Sequence, residues 1–258
     1  MSRIHEVVAC AALAASLTAC GSGSDTSKSA PAASPKAAPD AKRVDAATAA
    51  TVTGKVVFEG TPPDNPTINT SSDPACGAGP LRSESYVVGK GGALENVFVY
   101  VKDGLGNKYV FDTPTAPVKI DQKGCHYVPH VIGVRTTQPL EIVNSDNTLH
   151  NVHGMPTANP DFNQGQPVQG MKNAVTFANP EVLIPFKCDV HSWMNAFVGV
   201  VDHPYFAVTG EGGTFELRGL PPGTYAIEAV HEKLGRQSLP VTLGEKDSKA
   251  LTFTFKSQ

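Results

Sequence analysis

Phe186-Lys187-Cys188-Asp189-Val190-His191-Ser192-Trp193-Met194 places a thiol, an imidazole and a thioether within seven residues, at Cys-x2-His-x2-Met spacing. A soft Cys sulfur, a His nitrogen and a weak Met sulfur together suit copper better than any other common metal. The run before it alternates: Val182, Ile184, Phe186 and Cys188 share one parity, and Glu181, Pro185 and Lys187 share the other. In a half-buried strand that alternation turns Cys188 inward. Residues 196–201 then supply the return strand that such a turn needs. A site of this kind needs a second His from elsewhere. Residues 139–144 read as a strand ending in Asn144, and it feeds Ser145-Asp146-Asn147-Thr148-Leu149-His150-Asn151-Val152-His153.

Together these two segments resemble the cupredoxins, the small blue copper proteins such as plastocyanin, pseudoazurin and amicyanin. The short Cys-x2-His-x2-Met loop is most similar to that of amicyanin. The resemblance implies the copper ligands His150, Cys188, His191 and Met194. It also implies that Asn151 ties the first-ligand segment to the Cys loop while its backbone amide donates to the Cys188 sulfur, and that Phe186 fills the aromatic position two residues before the Cys. Where the related loops carry Pro beside the second His, Val190 and Ser192 stand here. As the outermost ligand of that family, His191 is expected to reach an apolar surface patch formed by Val190, Trp193 and Phe197. His153 has the opposite parity to His150 and reads as exposed rather than ligating.

The chain has 258 residues, enough for one large or two small domains with a real core. Its 24 glycines and 21 prolines punctuate alternating β-branched segments, which predicts a mostly β protein with many turns. The formal charge of −3 and the lack of a basic run argue against a nucleic-acid partner.

The five cysteines sort by position. Cys10 lies in a short apolar N-terminal run, too short to span a membrane. Cys20 closes Leu17-Thr18-Ala19-Cys20, which resembles the lipobox of bacterial lipoproteins, so residues 1–19 read as a signal peptide and Cys20 as the lipidated mature N-terminus. The implied location is the bacterial cell envelope, periplasmic or at the cell surface, lipid-anchored with no other spanning segment. Residues 20–50, rich in Gly, Ser, Ala and Pro, read as a disordered tether with a reach of roughly 30 Å. With Cys188 assigned to the metal, Cys76 and Cys125 remain, and in an oxidising compartment the economical assignment is a disulfide between them. His126 and His130, near Cys125, invite a second metal reading. The plainer reading, a strand end with partly exposed histidines, is preferred.

Val52, Val56 and Phe58 share one face of an opening strand, and Val97, Val99 and Val101 alternate with Phe98 and Tyr100, so that strand should be central. Residues 154–173 read as a long polar loop. From residue 210 the chain reads strand, Pro221-Pro222-Gly223 turn, strand. With Gly54-Lys55-Val56-Val57-Phe58 this resembles a carboxypeptidase-regulatory-like (transthyretin-like) sandwich. The expected fold is therefore all-β: a Greek-key cupredoxin sandwich over residues 51–204 joined to, or inserted in, a carboxypeptidase-regulatory-like segment over residues 205–258, with strands from 51–103 available to complete the latter.

A single Cys in the metal loop excludes a dinuclear copper centre of the oxidase kind. No His-x-His pairs, nucleophile–His–acid motif or phosphate loop appears, so no catalytic residue is assigned. The reading is a type 1 copper electron carrier, not an enzyme, exchanging single electrons with a redox protein such as a c-type cytochrome or oxidase. Copper storage or delivery, and a carbohydrate- or protein-binding sandwich, are the alternatives.

Overall fold

The computed structural model of the chain describes residues 38–77 and 79–257. The expected signal peptide with Cys10, the Cys20 expected to carry lipid and the tether up to residue 37 lie outside them. The tether was expected to run to residue 50, but residues 38–49 instead lie along 107–112. Ala38 N donates to Asn107 O at 3.1 Å, Lys42 N to Lys108 O at 3.0 Å, and Arg43 pairs with Asp112 at 2.6 Å.

The strands are β1 (Ala50–Glu59), β2 (Thr67–Ile68), β3 (Leu81–Arg82), β4 (Phe98–Asp103), β5 (Val118–Gln122) and β6 (Tyr127–Val128). Next come β7 (Val131–Arg135), β8 (Leu140–Asn144), β9 (His150–Gly154), β10 (Phe162–Gln166), β11 (Lys172–Val175) and β12 (Glu181–Lys187). The last are β13 (Asn195–Val201), β14 (Phe206–Val208), β15 (Thr214–Leu220), β16 (Gly223–His231), β17 (Gly235–Leu243) and β18 (Ser248–Lys256).

They form two sandwiches. In one, the sheet β15–β1–β18 and the sheet β14–β4–β16–β17 enclose Val52, Val56, Phe58, Val99, Ile227, Phe253 and Phe255. In the other, β10–β9–β12–β13–β7 and β11–β8–β5–β6 enclose Ile120, Tyr127, Ile142, Val152, Ile184, Phe186 and Val198. The architecture is all-β. Of the two arrangements left open by the sequence, tandem or inserted, the strand pairing is of the inserted kind. β1 and β4 share sheets with the C-terminal strands, and the second sandwich enters after β4 and returns before β14.

The sandwiches meet on a third apolar cluster containing Phe98, Val131 and Val201, with Phe197 and Phe206 against it. A glycine pair permits the close approach. Gly133 of β7 lies opposite Gly199 of β13. A Cβ on Gly199 would stand 2.4 Å from the Phe98 ring, and one on Gly133 would stand 2.3 Å from Phe206.

Two local readings give way. β12 carries a bulge between Glu181 and Ile184, with Leu183 at φ 59°. The parity therefore breaks, and Val182 joins the inter-sandwich cluster while Ile184, Phe186 and Cys188 keep the inner face. The segment expected as a long polar loop contains β10 and the start of β11. β10 pairs along β9 and buries little beyond Phe162 and Gln166, so it lacks the apolar alternation that marks a strand.

Between β1 and β4, residues 60–77 and 79–97 cross as a strap from the first sandwich to the second. The strap carries the β2–β3 ribbon and a short helical turn, Pro74–Cys76. It is fastened by the Cys76–Cys125 disulfide, which closes a separation of 49 residues, worth ~4 kcal/mol in the chain-entropy model.

Candidate metal centre

Asn144, at the end of β8, builds the turn that leads to His150. Its Nδ2 donates to Thr148 O at 2.9 Å and Gln166 O at 2.8 Å, and its Oδ1 accepts from Asp146 N at 2.9 Å. β9 then runs antiparallel to β12, with Lys187 opposite His153, which lays Asn151 beside Cys188. The Tyr127 hydroxyl bridges both strands, with Asn151 O at 2.9 Å and Lys187 O at 3.1 Å. Beyond β12 the loop closes on itself: Cys188 N donates to Met194 O at 3.2 Å and Met194 N to His191 O at 2.9 Å.

This framework brings His150, Cys188 and His191 together, with their ligand atoms within 4.8 Å of one another. The two Nδ1 atoms are 3.0 Å apart, and the Cys188 sulfur is 3.8 Å from His191 Nδ1. Met194 is buried in the same core cluster, and all four side chains are nearly sealed: His150 is 0 %, Cys188 1 %, His191 2 % and Met194 1 % exposed.

The outer nitrogens fix the tautomers. His150 Nε2 lies 3.0 Å from Asp146 Oδ2 and His191 Nε2 lies 3.0 Å from Asp73 Oδ2. A carboxylate only accepts, so both Nε2 atoms carry the proton and both Nδ1 atoms present lone pairs. The thiol has one S–H to give, so at least one of two Nδ1 lone pairs 3.0 Å apart is left without a proton in a dry site. A cation resolves them, and ligand bonds of about 2.0–2.3 Å to a common ion imply separations of about 3–4 Å, as found. Desolvation holds His150 below its ordinary pKa and so favours the neutral ring that a ligand needs, while Asp146 opposes it. Asp73 is held ionised at about 2 by hydrogen bonds from Thr148, the Ala75 amide and His191.

Asn151 ties the two segments. Its Oδ1 accepts from Asp189 N at 2.6 Å and lies 3.3 Å from Cys188 Sγ. The backbone donor to that sulfur is the His191 amide, at 3.4 Å, in place of the expected Asn151 amide. Phe186 is buried and packs edge-on against Phe162. His153 turns away, toward Asp189 at 3.1 Å and Asp161 at 3.4 Å. His126 is half-buried, whereas His130 is buried against Glu232 at 2.7 Å, between the sandwiches.

His191 does not reach an apolar surface. The strap covers it through Asp73, and Trp193 packs on its ring with centroids 5.1 Å apart while donating Nε1–H to Cys125 O at 3.0 Å. Phe197 lies in the inter-sandwich cluster instead, and the exposed apolar residues adjoining the two histidines are Leu149 and Val190. Sequence reasoning missed Asp73 and Asp146. The disulfide carries Asp73, three residues before Cys76, only as far as Cys125. Nothing in the sequence placed Cys125 beside the histidines.

No protein-family model and no curated protein matches the sequence. Solved structures do match. An oxidized mutant of amicyanin is 18 % identical over 32 % of this chain and 80 % of its own, at a TM-score of 0.30. A purple cupredoxin from Nitrosopumilus maritimus is 18 % identical over 32 % of this chain and 97 % of its own, at 0.28. A copper-containing nitrite reductase from Thermus scotoductus is 19 % identical over 56 % of this chain, which spans 28 % of the reductase, at 0.31. At such scores the likeness bears no weight of its own, and the side-chain geometry decides the reading.

Proposed function

We propose that the chain is a copper protein of the bacterial cell envelope that passes single electrons through a type 1 site held by His150, Cys188, His191 and Met194. The observation that carries this is the pair of Nδ1 lone pairs 3.0 Å apart beside a buried thiol, with both Nε2 protons already committed. Copper bound there would supply a one-electron couple. The protein's own part is rigidity. β9 and β12 meet through Tyr127 and Asn151, so the donors keep their places whichever oxidation state they hold. Burial of all four side chains also favours retention of the ion over its release to an acceptor. The partner is a redox protein such as a c-type cytochrome or oxidase, the membrane is reached through lipid on Cys20, and the carboxypeptidase-regulatory-like sandwich serves as the platform that carries the strap.

The test is to add Cu(II) to the soluble chain without its first 37 residues and record the visible spectrum. An intense band near about 600 nm from the Cys–copper bond is expected, and Cys188→Ser should abolish it. A band that survives the substitution would place the metal elsewhere.

A further inference from the structure

We propose that Asp73 is a positioning residue of this centre: it holds His191 through Nε2 so that only Nδ1 faces the metal, and its charge strengthens that nitrogen as a donor. The inference rests on the copper reading above. His191 sits in a seven-residue loop, and a surface imidazole there could rotate about its χ2. Here it cannot rotate without leaving the Asp73 carboxylate, 118 residues earlier in the chain, 3.0 Å from Nε2.

Asp73 is itself fixed at several points. Its Oδ2 also accepts from Thr148 Oγ1 at 2.6 Å, and its Oδ1 accepts from Ala75 N at 2.8 Å. Three residues on, Cys76 is bonded to Cys125. The Cys125 amide in turn donates to Asp146 Oδ2 at 2.8 Å, the oxygen that receives His150 Nε2. The disulfide is thus the tie between two carboxylate struts, one behind each imidazole, and Thr148 links Asp73 to the turn that presents His150. Such partners orient a ligating ring and raise its basicity. A more basic nitrogen stabilises Cu(II) over Cu(I), so Asp73 acts to lower the reduction potential, beyond what the ligand set would give alone.

The experiment compares the wild-type chain with Asp73→Asn and Asp73→Ala, disulfide intact and at one pH. Asn keeps the shape and removes the charge: its single oxygen can still accept from Nε2–H and the Thr148 hydroxyl, and only the bond from the Ala75 amide is given up. In metal-free protein, nitrogen NMR of the imidazoles should find His191 of the wild type protonated at Nε2 and not at Nδ1. Asp73→Ala should mix the tautomers. In copper-loaded protein, Asp73→Asn should stay blue with a higher midpoint potential than wild type. A wild-type His191 protonated at Nδ1, or a blue Asp73→Asn with an unchanged potential, would overturn the proposal. Loss of thermal stability in Asp73→Ala with neither tautomer nor potential altered would reduce Asp73 to a structural residue and overturn it too. If wild type binds no copper, the function fails, while the metal-free tautomer still tests the strut.

Discussion

Replacing His231 by Asn should make the protein less sensitive to acid. Two histidines of the first sandwich and its seam are buried as neutral rings, His203 at 7 % and His231 at 2 % exposure. Each is locked in one tautomer by backbone. Tyr205 N donates to His203 Nδ1 at 3.2 Å, and Lys233 N and Leu234 N donate to His231 Nδ1 at 3.1 and 3.3 Å. A proton on either Nδ1 would set a donor against donors. Desolvation pushes both rings down from 6.5 to about 4. Asp202 opposes it at His203, Glu232 opposes it at His231, and His130 and Lys233 add to it at His231.

For a depressed histidine the unfolded chain binds the proton more tightly. The stability contribution is therefore complete above pH 6.5 and is lost as pH falls toward 4. At ~1.4 kcal/mol per tenfold change in proton affinity, each histidine accounts for about 3 kcal/mol across that window. Asn at 231 can accept from the same two amides, as Asn does in turns, but does not titrate. Urea unfolding of metal-free, disulfide-intact protein from pH 4 to 7 should show His231→Asn losing about 3 kcal/mol less than wild type over the range. The smaller side chain lowers stability at every pH, so the slope is the readout. His150 contributes to acid sensitivity in both proteins and cancels. Parallel curves for the two would refute the reasoning.

Gly133→Ala should cost about 1–3 kcal/mol by driving a methyl group into Phe206 and Phe98, seen as a lower urea midpoint, while the copper band stays in place. An unchanged midpoint would mean that the seam relaxes more easily than its packing implies. Mass spectrometry of full-length protein from the native envelope should find Cys20 acylated, and an unmodified start at another residue would remove the anchor.

How far the sequence could be read depends on the range of each interaction. The Cys188 thiol turns inward because β12 alternates on its own from Ile184 onward, and that is visible in a few residues. The Cys76–Cys125 bond followed from a count and a compartment. The Leu183 bulge carries no local mark, because the backbone there serves the packing of Val182 and Leu183 against the cluster of Phe98, Val131 and Val201, which the chain reaches only after folding. β10 was hidden because its bonds to β9 need no apolar stripe. Asp73 was hidden for the same kind of reason. Its neighbours Ser71, Ser72 and Pro74 describe a turn, and only the fold sets that turn against an imidazole 118 residues away.

The strap limits how the metal half can be transplanted. Its entry and exit lie side by side, since Val101 N donates to Tyr205 O at 3.1 Å and His203 Nε2 to Val101 O at 2.8 Å. By that measure residues 102–204 form a cassette whose cut ends meet, the condition under which grafting one domain into another is tolerated. Yet the cassette would leave behind Asp73 and Cys76, which belong to the host's own β1–β4 connection. It would carry the donors His150, Cys188, His191 and Met194 to a new host with Cys125 unpaired and the back of His191 open to water. The centre belongs to both halves, and exchanging one half for another would change the environment of its outer imidazole even with every donor kept.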